Sequence, residues 1–248
     1  MLRRIVFLHG WTMRGSVFDD LIAHLPGFDC RAPDLPGHGS AANQPPTLDH
    51  AAEVAHRLVR QGAGTVVVGW SMGAAVAWRM VELFGTDGLA GLVSVDMSPK
   101  IVNDAGWGHG LAGQSAADVA RSTARMAADW QGAAQAIAAT MFAGRDGAPG
   151  FTREAALRQI LSNDPGTMQT IWAALTAMDL RAVVPRINCP YLVTHGALSR
   201  VYPASAAEWL AASAPNARRH TFTASGHSAH LEEPQTFAAA IRAFAERL

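Results

Sequence analysis

Two cysteines in 248 residues are too few for a disulfide framework, which sets the chain apart from the small stapled domains of secreted proteins. Cys30 and Cys189 both read as small buried hydrophobes in predicted strands. Charge is also scarce. Only 16% of residues are charged and the formal net charge is zero, with no block of one sign, so neither nucleic acid nor an anionic membrane is the expected partner. No apolar run reaches the length of a membrane span. Met1-Leu2-Arg3-Arg4 opens in the manner of a signal peptide, yet the apolar run behind it, Ile5 to Leu8, is too short for a secretory core and ends in His9-Gly10. These features lead us to expect a soluble protein of a reducing, cytoplasmic compartment. Internal repeats, low-complexity linkers, phosphate loops and dinucleotide fingerprints are all missing. His9, His38, His50 and His109 lack the mutual spacing of metal ligands. Neither a metal nor an organic cofactor is expected.

Apolar residues and glycine are plentiful: 49% hydrophobic, with 23 glycines. That composition suits one α/β domain with a large core. The most informative stretch is the β-branched run Thr65 to Val68, then Gly69-Trp70-Ser71-Met72-Gly73, then the small-residue run from Ala74 to Met80. It reads as strand, sharp turn and helix, with Ser71 at the tip of the turn and glycine wherever a Cβ would strike the neighbouring backbone. In a chain so rich in glycine, a Gly-x-Ser-x-Gly pentapeptide alone is weak. The strand before it and the helix after it give it weight.

Around that turn, short apolar runs alternate with helical spacing. Ile5 to Leu8 reads as a strand buried on both faces. Val17 to Leu25 reads as a helix, Phe28 to Arg31 as a strand, and Leu48 to about Gln61 as a helix capped by Thr47. Gly91 to Asp96 is a further strand. Residues 99–184 change texture to alanine-rich helical segments, with Asp164-Pro165 placed as a cap and first turn. Strands return at Pro190 to His195 and Arg218 to Thr223, with helices at Ser205 to Ala214 and Pro234 to Arg247. The alternation implies a mostly parallel sheet with ligands at the C-terminal ends of its strands.

His9-Gly10-Trp11 after the first strand, Asp34-x-x-Gly37-x-Gly39 after the second, the Ser71 turn, and Gly226-His227 after the last strand together resemble the α/β-hydrolase superfamily over nearly the whole chain. Within it, the motifs and the run Met97-Ser98-Pro99 are most similar to small bacterial serine carboxylesterases, including the pimeloyl-carrier-protein methyl ester esterases of biotin synthesis. Such proteins usually begin with an extra antiparallel hairpin. Here the first parallel strand starts almost at Met1, so a sheet of about six strands is expected, with residues 1–98 and 185–248 as core and 99–184 as a helical lid.

The resemblance implies Ser71 as nucleophile, His227 as base, and the backbone amides of Trp11 and Met72 as oxyanion hole. It implies His220 and His230 as packing or surface residues and Asp34 as a loop-holding side chain. The acid departs from the common pattern, because Ser199 stands where most relatives have aspartate. A serine there carries no charge to stabilise an imidazolium, a deficit worth orders of magnitude in rate. Asp96, at the end of the strand after the serine turn, is the candidate acid, as in those members of the superfamily that pair an Asp-x-x-Pro run there with serine at the usual place. The alternatives are that Asp96 merely caps its loop, or that the acid has been lost and the protein binds without turning over.

Trp107, Trp130, Phe142 and Trp172 in the lid are candidates to line an acyl pocket, with Met126, Met141 and Met168 beside them. The expected activity is hydrolysis of a small or medium acyl ester through an acyl-enzyme, with thioester hydrolysis or acyl transfer as rivals. A small-molecule ester is the expected partner, and Arg121, Arg125, Arg145, Arg153 and Arg158 are candidates to receive an acidic acyl carrier protein.

Overall fold

The computed structural model describes residues 3–62 and 64–248. Six parallel strands form one sheet: β1 (Arg4–Leu8), β2 (Asp29–Arg31), β3 (Thr65–Trp70), β4 (Leu89–Val95), β7 (Tyr191–Gly196) and β8 (Ala217–Phe222), in spatial order β2-β1-β3-β4-β7-β8. The strand count expected from the sequence is the one observed. β5 (Gly147–Ala148) and β6 (Phe151–Thr152) form a separate antiparallel ribbon.

Every residue of β3 is buried, because helices cover both faces of the sheet. Alternating side chains divide the core accordingly. Val6, Leu8, Val67 and Leu92 pack against α2 (Leu48–Arg60), α3 (Met72–Phe84) and α8 (Ala204–Ser213). Ile5, Phe7, Val66, Val68 and Val93 pack against α1 (Asp19–Ala23) and α10 (Pro234–Ala245). Small residues dominate the buried side of α3, where Ala74, Ala75 and Ala77 are fully buried, and this lets the helix lie close to the strands.

Local signals place several boundaries. Thr47 accepts a hydrogen bond from the His50 amide and starts α2. Asp164 does the same for Thr167 ahead of Pro165, opening α7 (Pro165–Ala177). The stretch expected as one helix over Val17 to Leu25 is instead a 3-10 turn, Gly15–Phe18, followed by the short α1. Cys189 lies ahead of β7, not within a strand, though it is buried as expected. Between β4 and β7 the chain builds α4 (Ala116–Ala128), α5 (Trp130–Thr140), α6 (Arg153–Leu161) and α7, all beyond the C-terminal end of β4. The short α9 (Ala229–Glu232) precedes α10. Among the described residues, no helix is long and apolar enough to cross a membrane.

Candidate active site

Ser71 follows the last residue of β3, and its N–H donates to Val95 O at 3.0 Å. Its backbone sits at φ 51°, ψ −119°, a conformation that costs a non-glycine residue of order 1–3 kcal/mol. Close contact on either side enforces the bend. A Cβ added to Gly73 would lie 2.0 Å from Leu8 O, and one added to Gly69 would lie 2.4 Å from Gly73 O. The chain can therefore turn from strand into α3 here only with glycine at both positions, and the turn leaves Ser71 at the helix N-terminus.

One strand over, Asp96 stands just beyond β4, with φ 46° and its N–H donating to Thr194 O at 2.9 Å. The loop between β8 and α9 brings His227 against it. His227 Nδ1 lies 2.6 Å from Asp96 Oδ2, and both residues are buried. Ser199, in the loop after β7, donates its hydroxyl to the same Asp96 oxygen at 2.6 Å and accepts the Val201 N–H at 3.2 Å. The serine at the usual acid position thus binds the carboxylate, and the carboxylate faces the histidine.

Several groups hold the His227 loop, Glu233 among them by accepting from Ala224 N and the Ser225 hydroxyl. Trp70 Nε1 donates to His227 O at 2.8 Å. The Glu232 carboxylate accepts from Gly226 N at 2.8 Å, from Ser228 N at 3.3 Å, and from Ala143 N of the inserted segment at 2.6 Å. Burial pushes the Glu232 carboxyl up despite these donors. The Tyr202 ring lies 5.9 Å from that of His227. His230 is fully buried between Phe18 and Trp70, and burial lowers it to about 3. His220, in β8, packs against Phe222. Both fill space away from the Asp96 contact.

Behind β1, Gly10 to Met13 form a tight turn closed by Met13 N–H to Gly10 O at 3.1 Å. Among the described residues the N–H groups of Trp11 and Met72 enter none of the turn, loop and cap hydrogen bonds of the backbone, and both residues stand beside Ser71, Met72 directly after it and Trp11 across the cavity that it and Ser71 line. Asp34 accepts from Gly15 N, Ser40 N and the Ser40 hydroxyl. Burial raises its carboxyl, but these donors outweigh burial and hold it below the usual range, so it pins the loop as expected.

Gly10, Trp11, Ser71 and His227 open into a cavity of about 650 Å³. Met126, Ile137, Met141 and Trp172 of the inserted segment make its apolar wall, and Arg125, Asp129 and Arg200 stand among its polar residues. Trp172 stacks on Trp11 with centroids 5.0 Å apart. Of the four aromatic residues expected to line the pocket, three do not. Trp107 packs edge-on against Trp209 at 5.0 Å and under Arg181, beside His109 in a separate surface hollow, because its segment runs toward α8. Trp130 meets Trp11 edge-on at 6.3 Å, outside the lining. Phe142 is sealed in the core. Met168 is likewise core. Arg121 pairs with Asp118. Nothing in the sequence marks Arg200, Tyr202 or Glu232, because Arg200 and Glu232 reach Phe142 and Ala143 across the inserted segment and Tyr202 meets His227 from a loop with no periodicity. Among the described residues no cluster suited to a metal ion occurs.

The profile of the alpha/beta hydrolase family matches residues 5–240. A pimeloyl-acyl-carrier-protein methyl ester esterase from Chromobacterium violaceum is 32% identical over 248 residues, covering 98% of this chain and 93% of the relative. One from Vibrio vulnificus is 30% identical over 250 residues, covering 97% and 93%. Among solved structures, an esterase from Exiguobacterium antarcticum superposes with a TM-score of 0.89 at 20% identity, over 98% of this chain and 92% of its own.

Proposed function

The chain belongs to the alpha/beta hydrolase family and is a carboxylic ester hydrolase, and on that premise we propose that it works through an acyl-enzyme formed on Ser71. Ser71 Oγ attacks the ester carbonyl carbon while His227 Nε2, the ring nitrogen left free by the Asp96 contact, takes the hydroxyl proton. The carbonyl oxygen becomes an oxyanion and receives the N–H groups of Trp11 and Met72. The C–O bond to the alcohol then breaks, and the alcohol leaves with the proton from His227. Water attacks the acyl-enzyme with His227 again as base, releasing the acid and restoring Ser71. Asp96 fixes the tautomer of His227 and stabilises the imidazolium each time it forms.

The observation that carries this reading is the 2.6 Å contact between Asp96 Oδ2 and buried His227 Nδ1, in a cavity that both His227 and Ser71 line. It supplies the charge that Ser199 lacks and so favours turnover over a site that only binds. The helices at 99–184 act as the lid over the acyl chain. The apolar wall suits a medium acyl group, and the relatives' names point to one carried on an acyl carrier protein, as a methyl ester. Arg125 and Arg200 in the cavity lining suit the polar end of such a substrate.

A fluorophosphonate probe tests the mechanism. It labels the wild-type protein once and leaves Ser71→Ala unlabelled, and an unlabelled wild type overturns the reading. Turnover of the methyl ester on a carrier protein against the same free methyl ester then tests the carrier.

A further inference from the structure

The turn that presents the Trp11 amide has an awkward residue in it. With Gly10 O bonded to Met13 N, Thr12 is the third residue of the turn, and its φ is 67°. That position in a turn of this kind calls for glycine, and a β-branched side chain is disfavoured there. Relaxation to the commoner form with negative φ would flip the Trp11–Thr12 peptide, which is joined through the Trp11 Cα to the peptide that carries the Trp11 N–H; the Thr12 hydroxyl, donating to Trp11 O at 2.6 Å, opposes that flip from within the turn. Something must hold it.

Two side chains grip Thr12 from opposite sides. Its N–H donates to His38 Nε2 at 3.2 Å, and its C=O accepts from Asn163 Nδ2 at 2.8 Å. His38 is fully buried. Its Nδ1 faces Pro36 O at 3.2 Å, so Nδ1 carries the ring proton and Nε2 is the acceptor. The ring meets His9 edge-on at 4.9 Å. His9 shares the arrangement, with Nδ1 against Gly10 O and Nε2 accepting from Leu35 N, both at 2.8 Å. Because the Gly10–Trp11 peptide is planar and trans, turning its C=O toward His9 turns the Trp11 N–H the opposite way. Burial lowers His38 to about 4 and His9 to about 3, so both are neutral near pH 7 and keep a lone pair for these amides. Asn163 comes from the bend between α6 and α7 and is itself buried.

We propose that His38 and Asn163 are positioning residues for the oxyanion hole, holding Thr12 in its disfavoured turn so that the Trp11 N–H meets the developing oxyanion. Because Asn163 belongs to the inserted helices, that segment is a working part of the hole as well as a cover over the acyl chain. The inference rests on the acyl-enzyme reading above.

The test counts only correctly folded sites, by fluorophosphonate titration, and compares turnover with inhibition by a trifluoromethyl ketone, whose adduct carries the oxyanion. In His38→Leu and in Asn163→Asp, kcat per titrated site falls about tenfold to a hundredfold with KM little changed, less than the loss of a whole donor. The ketone's inhibition constant rises by the same factor. Adding Thr12→Gly to His38→Leu restores most of the loss, because glycine holds the turn unaided. His38→Gln, which presents both an acceptor and a donor, retains more activity than His38→Leu and serves where the leucine variant does not fold. Per-site kcat within about twofold of wild type in the folded variants, or a fall in kcat without a matching rise in the inhibition constant, overturns the proposal. A wild type that the probe does not label overturns the acyl-enzyme reading instead.

Discussion

The Ser199 hydroxyl and the His227 ring converge on one oxygen of Asp96, each at 2.6 Å. The two loops after β7 and β8 therefore meet at a carboxylate delivered from β4, and the position after β7 sits within hydrogen-bond reach of the place an acid must occupy. Asp96→Asn is expected to lower kcat by about a thousandfold or more with KM little affected, since the amide can neither fix the tautomer nor balance the imidazolium. Ser199→Ala removes a donor to the carboxylate and the acceptor of the Val201 N–H but leaves the Asp96–His227 contact in place, and costs about tenfold. In the double variant Asp96→Asn, Ser199→Asp, the carboxylate returns to the same spot from the other strand and part of the activity returns with it. Hydrolysis of p-nitrophenyl butyrate by the three variants checks all of this, and full turnover by Asp96→Asn removes Asp96 from the mechanism.

The bend at Ser71 tolerates no side chain on its flanks. Gly73→Ala would press its Cβ onto Leu8 O at 2.0 Å, a backbone atom at the end of β1, fixed by pairing with β3, that cannot move aside. We expect that variant to be recovered as insoluble protein. Gly108→Ala is the matched control, with nothing within 4 Å of the added atom, and its melting temperature should stay within about two degrees of wild type. Soluble yield and thermal melts of the two variants decide it.

The β3 strand, the serine turn and α3 are legible in the sequence because their signals are local: a β-branched run, two glycines forced by close approach, and a helix of small residues. Thr47 and Asp164 mark helix starts for the same reason. The contact of Asp96 with His227 is readable only in outline, from a carboxylate at one strand tip and a serine where another is usual. Trp107 shows the limit. It lies between Gly106 and Gly108, outside any helix, and packs on Trp209 of α8, whereas Trp172 sits in α7 and stacks on Trp11, a difference of partner that residue type alone does not reveal. Glu232, which ties the Gly226 and Ser228 amides to Ala143, and Asn163, which ties α6–α7 to Thr12, act between segments far apart in the chain. Nothing in their immediate sequence announces such partners.

With the acyl chain in this cavity, as proposed, its wall sets a chain-length limit that an ester series reads. Each methylene that leaves water for the surface of Met126, Ile137 and Met141 contributes about 0.8 kcal/mol, so kcat/KM should climb about fourfold per carbon from the acetyl ester until the 650 Å³ space is filled. Ile137→Trp moves the optimum to shorter chains, with the acetyl ester little changed. p-Nitrophenyl esters of graded length give both curves, and an unchanged optimum in Ile137→Trp places the acyl chain elsewhere.

Acid sensitivity follows from the buried histidines. Burial lowers His9 and His230 to about 3 and His38 to about 4, whereas in the unfolded chain each returns to about 6.5. Above that value both states are neutral and the rings leave stability independent of pH. As pH falls, the unfolded chain takes up protons that the folded protein refuses, so stability drops through the window from about 6.5 to the folded values. Each ring accounts for up to about 3 to 5 kcal/mol when the window has been crossed. His230 isolates the effect, because both of its ring nitrogens are buried without a partner among the described residues and its surroundings are Phe18, Trp70 and Phe237. His230→Phe should raise unfolding free energy by about 1 kcal/mol at pH 7, by removing unsatisfied polar atoms. At pH 5 the gain should be about 2 kcal/mol larger, since a phenyl ring binds no proton in either state. Urea titrations of the two proteins at both pH values provide the four numbers, and a gain that does not grow on acidification means that His230 is already protonated in the folded protein.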